Sequence, residues 1–174
     1  MGLDSLSFRL ATTADVSAVV ELIESAYRGE ESLKGWTSEA GFIDGQRTNS
    51  QDISGLIDSP DARFVLAFDA DKLVGCALVK NEQGQGYFGM FSVRPARQGA
   101  GLGKRLLAEA EKTARSLWGC PTMKMTVISI RDELIAFYER RGYRRTGTEP
   151  FPFDKEPGVR RKDFHFVVLT KALD

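Results

Sequence analysis

The sequence predicts a mixed α/β fold in which a central, mostly antiparallel sheet of about seven strands carries helices on both faces. Three strand-like segments follow one another at residues 63–68, 72–80 and 87–93, and short turns between them predict an antiparallel meander. A long helical pattern then lies between two strand-like segments, which predicts a crossover connection. The 174 residues suit one domain and are too few for two ordinary ones, so we expect a single domain over residues 1–174.

The first third of the chain begins with a short strand at residues 7–11, followed by a helix. Thr12 or Thr13 can cap that helix, and Asp15 lies in its first turn, where the helix dipole favours an acid. Apolar residues recur at helical spacing up to Tyr27. From residue 28 to residue 61 glycines interrupt short helical pieces, which is typical of a functional surface segment rather than of a scaffold.

The second half alternates helices and strands. A glycine-rich loop at residues 98–103 leads into a helix that ends near Trp118. A strand at 121–130 and a helix at 132–141, ended by Gly142, follow. Strands at 143–148 and 163–170 close the chain. The apolar face of the long helix comprises Leu102, Leu106, Leu107, Ala110, Ala114 and Leu117.

The composition excludes several classes of protein. The 24 basic and 24 acidic residues cancel, so no overall field favours nucleic acid or an anionic membrane. No apolar run approaches the length of a membrane helix. One histidine and two cysteines without metal-site spacing argue against a metal centre and against a Ser-His-Asp hydrolase. We expect a cytoplasmic protein without a metal, and the sequence leaves its oligomeric state open, a homodimer included.

The glycine loop carries the first functional signal. Gly99, Gly101 and Gly103 alternate where a strand gives way to a helix, so the exposed amides of the first turn can bind phosphate oxygens. A flexible turn without a ligand explains the same glycines equally well. A Walker loop is excluded because Arg105 follows Gly103-Lys104, and residues 84–89 match the dinucleotide pattern but open a strand.

Two motifs about 40 residues apart resemble those of the GNAT superfamily of N-acetyltransferases. Residues 93–104 resemble its acyl-CoA signature, Arg/Gln-x-x-Gly-x-Gly/Ala, through Gln98, Gly101 and Gly103. Residues 137–143 resemble its second motif, a helix-borne tyrosine followed by Gly-aromatic. The resemblance covers about residues 8–173 and implies acetyl-CoA as co-substrate. It implies that backbone amides of Gln98, Gly99, Ala100, Gly101, Leu102, Gly103 and Lys104 hold the pyrophosphate, and that the strand edge Phe91, Ser92 and Val93 pairs with the pantetheine arm.

The implied reaction needs a proton donor for the leaving thiolate. Tyr138, neutral near pH 7, can provide it, while a strand amide near Phe91 or Val93 can stabilise the oxyanion. Without the resemblance, Tyr138 reads as one more residue of an apolar helix face. Many family members carry asparagine seven residues before this tyrosine, where this chain has Arg131. Ser129 is a candidate substitute donor.

The acceptor is less constrained by the sequence. The residues between 28 and 61 include seven acids and three bases, which favours a cationic amine, although a solvated loop fits as well. We expect Glu30, Glu31, Trp36 and Ser129 to contact a small-molecule or peptide amine. His165 lies in an apolar stretch and is interpreted as a buried structural histidine. A non-catalytic acyl-CoA sensor is the competing hypothesis. The aromatic residues of 151–153 either line the site or pack on each other.

Overall fold

Seven strands and four α-helices make up the part of the chain that the computed structural model describes, namely residues 5–27, 48–95, 101–155, 158–159 and 162–174. The helices are α1 (Val16–Tyr27), α2 (Ser50–Asp58), α3 (Leu102–Trp118) and α4 (Asp132–Arg140). The strands are β1 (Leu6–Leu10), β2 (Ala62–Asp69), β3 (Lys72–Glu82), β4 (Gln85–Val93), β5 (Thr122–Ile128), β6 (Arg144–Glu149) and β7 (Phe166–Ala172).

The strands form one sheet in the order β1-β2-β3-β4-β5-β7-β6. Only the β4–β5 pair is parallel, and every other neighbouring pair is antiparallel. The parallel pair follows from the crossover through α3, because a helix between two strands returns the chain to the same end of the sheet. The predicted mixed, mostly antiparallel sheet with helices on both faces is confirmed.

The parallel strands β4 and β5 are paired over a short length only and then diverge. β4 and β5 are paired only at Gly86 with Met123 and at Tyr87 with Lys124, although β4 continues to Val93 and β5 to Ile128. Within β4, Met90 adopts a positive φ of 45°, which an L-residue rarely does, and the β3–β4 register shifts opposite it. The two strands therefore enclose a wedge in the middle of the sheet.

The two faces of the sheet carry separate cores. α3 and α4 bury their apolar sides on one face, with Phe88, Phe91 and Tyr143 among the largest fully buried side chains. α1 and α2 cover β2 and β3 on the other face. Burial of these aromatic and aliphatic side chains holds the wedge between two rigid layers.

Of two predicted details of the helices, the burial of Leu117 is wrong and the cap at Thr12 is confirmed. Leu117 is 48% exposed rather than part of the core, whereas its neighbour Trp118 packs against the core at the end of α3. The capping role falls to Thr12, whose amide donates to Asp15 Oδ2 at 2.7 Å ahead of a short 3₁₀ turn that precedes α1. Asp15 also pairs with Arg9, which lowers the pKa of its carboxyl to about 2.

No helix among the described residues is long and apolar enough to cross a membrane. In the same residues no group of three or more His, Cys, Asp and Glu side chains is arranged to hold a metal ion.

The start of the wedge depends on a glycine, and its substitution should cost stability. A Cβ on Gly86 would lie 2.9 Å from Met123 Sδ and 3.2 Å from both Ala114 Cβ and the Thr122 carbonyl oxygen. Since the carbonyl and the helix methyl cannot move aside, we expect Gly86→Ala to lower the free energy of unfolding by about 1–3 kcal/mol. Urea denaturation measures the change.

Gly147→Ala is the matched control, because a Cβ on this strand glycine would meet nothing within 4 Å. It should be neutral or slightly stabilising, since alanine restricts the unfolded chain more than glycine does. Equal stabilities of the two variants would contradict the close contact at Gly86.

Candidate active site

The first turn of α3 presents backbone donors without side-chain competition. Gly101 is the N-cap in the left-handed conformation, at φ 82°, and no side chain of the described residues caps the helix. The first turn contains no acidic residue. The amides of Leu102, Gly103 and Lys104 lie within this turn, where no helical carbonyl precedes them, and the positive end of the helix dipole adds to them. Such a terminus can bind phosphate oxygens.

The structure describes four of the seven residues that were predicted to bind the pyrophosphate. Gly101, Leu102, Gly103 and Lys104 form the N-terminus just described, and the side chain of Leu102 is buried, so only its backbone can contact a ligand. Lys104 is exposed beside the same turn. Gln98, Gly99 and Ala100 lie outside the described residues, and their role stays a prediction.

Gly103 brings the helix close to β4. A Cβ at this position would lie 2.9 Å from Cζ of Phe91 and 3.7 Å from Cζ of Phe137. The two phenyl rings are stacked, with centroids 6.1 Å apart and an interplanar angle of 18°. Glycine is thus required here for close packing of the helix terminus against the aromatic wall of the wedge.

A cavity of about 510 Å³ lies between the N-terminus of α3 and one face of α4. Arg141 lines it, with its guanidinium 5.0 Å from the centre of the Phe137 ring. The buried Nε of Arg141 has no hydrogen-bond partner among the described residues, so a donor is available there for an anion. Three cations and one acid are among the lining residues, which are Gly101, Gly103, Lys104, Glu133, Ala136, Phe137, Arg140 and Arg141.

The backbone of β4 turns one edge toward the wedge. The amide of Arg94 donates to the Val74 carbonyl of β3 at 2.9 Å. Because backbone groups alternate along a strand, Ser92 also faces β3, whereas Phe91 and Val93 face the opposite side, from which β5 has separated. The Ser92 hydroxyl donates to the Met90 carbonyl at 3.0 Å, so this side chain supports the bulge.

Tyr138 lies in an aromatic cluster beside the same wedge. It is 3% exposed, and its ring centroid is 6.2 Å from that of Phe91 and 6.1 Å from that of Tyr143. Burial raises the pKa of Tyr138 well above its usual range, with the neighbouring phenols of Tyr27 and Tyr143 adding to the effect. No described residue hydrogen-bonds to its hydroxyl. Among the described residues the Tyr138 hydroxyl is therefore a neutral group without a hydrogen-bond partner, and its role as a proton donor stays a prediction.

Tyr143 packs against the ring of Tyr138. Its hydroxyl donates to Glu111 Oε2 at 3.1 Å, and Lys171 Nζ lies 3.0 Å from the same carboxylate. The ring of Tyr143 meets that of Tyr138 edge to face, at an interplanar angle of 67°. This contact restricts the Tyr138 ring to one orientation.

The structure describes three further predicted residues, which are Ser129 and Arg131 near the start of α4 and His165 before β7. Ser129 Oγ accepts a hydrogen bond from the His165 amide at 3.1 Å, and the Ser129 amide donates to the His165 carbonyl at 2.8 Å. The prediction of a buried strand histidine is wrong: His165 is exposed and precedes β7. Arg131 is the N-cap of α4 without a side-chain cap bond. A role of Ser129 in binding the substrate or the cofactor stays a prediction.

The candidate acceptor residues are mostly beyond the described part of the chain. Glu30, Glu31 and Trp36 lie outside the described residues. The aromatic loop after β6 is described, and Phe151 packs against Phe153, Phe164 and Phe166 with ring centroids 4.9–5.1 Å apart. Of the two predictions for this loop, mutual packing is the one confirmed.

Comparison with known proteins identifies the class. The model of the Acetyltransferase (GNAT) family matches residues 18–143, and the chain belongs to this family. The structure superimposes on the ribosomal-protein-S18-alanine N-acetyltransferase of Escherichia coli with a TM-score of 0.72 at 13% identity, covering 97% of this chain and 94% of that one. It also superimposes on yncA of Salmonella typhimurium with its cofactor acetyl-CoA, with a TM-score of 0.72 at 19% identity, covering 98% and 95%. At identities of 13% and 19%, these superpositions show that the fold is shared.

A curated relative gives a closer sequence match over a shorter length. The IAA acetyltransferase of Azospirillum brasilense is 31% identical over 101 residues, which are 56% of this chain and 64% of that protein. The match thus spans less than two thirds of the relative.

Sequence reasoning missed three residues that the structure brings to the site. Arg140 and Arg141 line the cavity because positions 133, 136, 137, 140 and 141 share one face of α4. The helical spacing of these arginines and Phe137 was the available signal. Tyr27 also reaches the wedge, where its hydroxyl donates to the Phe91 carbonyl at 2.5 Å, and no local pattern indicates a contact across 64 residues.

Proposed function

We propose that this protein transfers the acetyl group of acetyl-CoA to a primary amine by direct attack in a ternary complex. The observation that carries the proposal is the wedge between β4 and β5, with an uncapped helix N-terminus on one side and the buried phenol of Tyr138 beside it. A long, negatively charged thioester substrate fits an arrangement of anion-binding amides followed by a strand edge.

The cofactor would bind along three features in sequence. The amides of residues 98–104 would hold the pyrophosphate, with Lys104, Arg140 and Arg141 contributing positive charge from the cavity wall. The pantetheine arm would pair with the edge of β4 along Phe91, Ser92 and Val93, through the outward-facing backbone groups of Phe91 and Val93. The unpartnered Nε of Arg141 and the uncapped turn of α3 support this fit.

The chemistry needs an oxyanion stabiliser and a proton donor from the chain, and the proton that the attacking amine loses would pass to solvent water. As the amine attacks the thioester carbonyl, negative charge develops on the carbonyl oxygen, and a backbone amide of Phe91 or Val93 would stabilise it. The carbon–sulfur bond then breaks, and Tyr138 would give its proton to the departing thiolate. A raised pKa keeps Tyr138 protonated until that moment.

We propose a small cationic molecule or a peptide as the amine acceptor, with Glu30, Glu31 and Trp36 among the residues that bind it. The support is compositional: acids outnumber bases by seven to three between residues 28 and 61, and a cation is attracted to such a segment. We also propose a cytoplasmic location, which agrees with two cysteines that are both free and buried.

Arg141 gives a direct test of the cofactor site. We expect Arg141→Gln to weaken acetyl-CoA binding about 10-fold or more, because a charge-assisted hydrogen bond to a phosphate is lost. Isothermal titration calorimetry measures the affinity. Arg144→Gln is the control, since Arg144 is exposed on β6 and does not line the cavity, while the charge change is identical. Equal losses in both variants would indicate a general charge effect instead of a contact.

The function itself is tested by thiol release from acetyl-CoA with pooled polyamines, amino sugars, amino acids and short peptides. Release that depends on one pool supports the transferase and narrows the acceptor. Acetyl-CoA binding without release in any pool would contradict the small-amine proposal and favour a sensor or a larger acceptor. A much higher kcat/KM for a protein amine than for every small amine would also overturn the small-molecule acceptor.

A further inference from the structure

Tyr27 links α1 to the edge of β4 inside the wedge. It is the last residue of α1, it is 9% exposed, and its hydroxyl donates to the carbonyl oxygen of Phe91 at 2.5 Å. This carbonyl belongs to the strand edge that faces away from β3, toward the side from which β5 has separated. The phenol oxygen of Tyr27 therefore lies at the strand edge proposed to receive the acetyl thioester.

The hydrogen bond to Phe91 determines which further ligands the phenol oxygen of Tyr27 can bind. A tyrosine hydroxyl has one proton to donate and oxygen lone pairs that accept. Since the proton of Tyr27 is directed at the Phe91 carbonyl, further ligands of this oxygen must be hydrogen-bond donors. An amine or ammonium group is such a donor, whereas a carboxylate or the thioester carbonyl is not.

The surroundings of Tyr27 fit a donor with positive charge. Glu24 lies three residues earlier and so on the same face of α1, and its Oε1 accepts the Thr48 amide at 2.8 Å. Tyr138 is also near, because the Phe91 ring lies 6.2 Å from the Tyr138 ring, and the interaction with Tyr27 contributes to the raised pKa of Tyr138. The proposed proton donor and the Tyr27 oxygen thus flank the same short stretch of β4.

We propose that Tyr27 binds the acceptor amine, its phenol oxygen accepting a hydrogen bond from the N–H of the nucleophile beside the β4 edge. This inference rests on the proposed function. The hydrogen bond orients the amine so that its lone pair is directed at the thioester carbonyl, while Tyr138 serves the departing sulfur. Because the Tyr27 proton stays on the Phe91 carbonyl, Tyr27 orients the nucleophile and does not remove its proton.

The test compares Tyr27→Phe with the wild-type chain. Thiol release is measured with spermidine, tryptamine and an alanine tripeptide, and the slow hydrolysis of acetyl-CoA without amine is recorded alongside. Loss of this hydrogen bond leaves the N–H of the attacking amine unsatisfied and predicts a fall in kcat/KM for the amine of about 10- to 100-fold. Acetyl-CoA affinity and the rate without amine should stay within about twofold.

Ser25→Ala is the control on the same helix, because within the described part of the chain the Ser25 hydroxyl bonds only to the Leu22 carbonyl one turn earlier. It should leave every kinetic constant unchanged. A merely structural role of Tyr27 would lower the melting temperature and leave kcat/KM per folded molecule unchanged, which would overturn the inference. A loss of acetyl-CoA affinity in Tyr27→Phe would also overturn it, since Tyr27 would then hold the cofactor. No amine-dependent release by the wild-type chain would instead overturn the proposed function along with it.

Discussion

Tyr138→Phe should lower kcat about 10²- to 10⁴-fold and leave acetyl-CoA affinity nearly unchanged. The substitution removes only the hydroxyl, and no described residue hydrogen-bonds to that group, so the aromatic packing of the ring persists. Without a proton donor the thiolate must leave as an anion in a cluster of phenyl rings that stabilises charge poorly. Steady-state kinetics combined with calorimetric titration of acetyl-CoA separates the two effects.

Retention of kcat within about twofold in Tyr138→Phe would assign the proton to another group and leave Tyr138 as a packing residue.

The pH dependence of kcat is a second check on Tyr138. Burial raises the pKa of Tyr138 well above its usual value near 10, so the wild-type enzyme should show no loss of kcat from Tyr138 deprotonation up to about pH 10. Because the pKa of Tyr138 is raised in the folded state, the folded phenol stays protonated at pH values where the unfolded phenol ionises. Tyr138 therefore lowers the free energy of unfolding only above about pH 10.

Gly103→Val should weaken acetyl-CoA binding about 10- to 100-fold. Its Cβ would lie 2.9 Å from Phe91 Cζ, and the Phe91 ring is itself stacked on Phe137. The rings cannot both remain in place, so either one enters the wedge or the first turn of α3 moves outward. In both cases the amides and the β4 edge lose their relative positions. Calorimetric titration measures the affinity.

Gly55→Val is the matched control, since Gly55 lies in α2 and a Cβ there would meet nothing within 4 Å. Both variants place valine in a helix, so the intrinsic helix propensity changes equally. Unchanged acetyl-CoA affinity in Gly103→Val would mean that the helix terminus is not part of the cofactor site.

The order of strands and helices could be predicted because local patterns carry it. Alternating β-type residues, the periodic apolar face of α3 and the glycine at residue 142 each give a local signal, and the parallel β4–β5 pair follows from the crossover. The helix α2 escaped a definite assignment because it is short and interrupted by Gly55, although Asn49, whose side chain accepts the Asp52 amide, is a regular N-cap.

The shape of the site was less predictable. The positive φ of Met90, which accompanies the opening of the wedge, follows from tertiary packing, since methionine has no preference for that conformation. Leu117 fits the helical period, yet it is exposed while Trp118 packs against the core, because periodicity indicates a helix face and not the burial of each residue on it. The contact between Tyr27 and Phe91 joins residues 64 positions apart, which no local rule connects.

The most direct test of amine acetylation follows the acetyl group itself. The purified chain is incubated with acetyl-CoA labelled at the acetyl carbonyl and with the amine pool that gives the highest thiol release, and mass spectrometry locates the label. The proposal predicts label in an amide of the acceptor, in amounts equal to the thiol released, and its loss with Tyr138→Phe. Label found only as free acetate, or retained in acetyl-CoA that the protein binds, would contradict transfer to an amine.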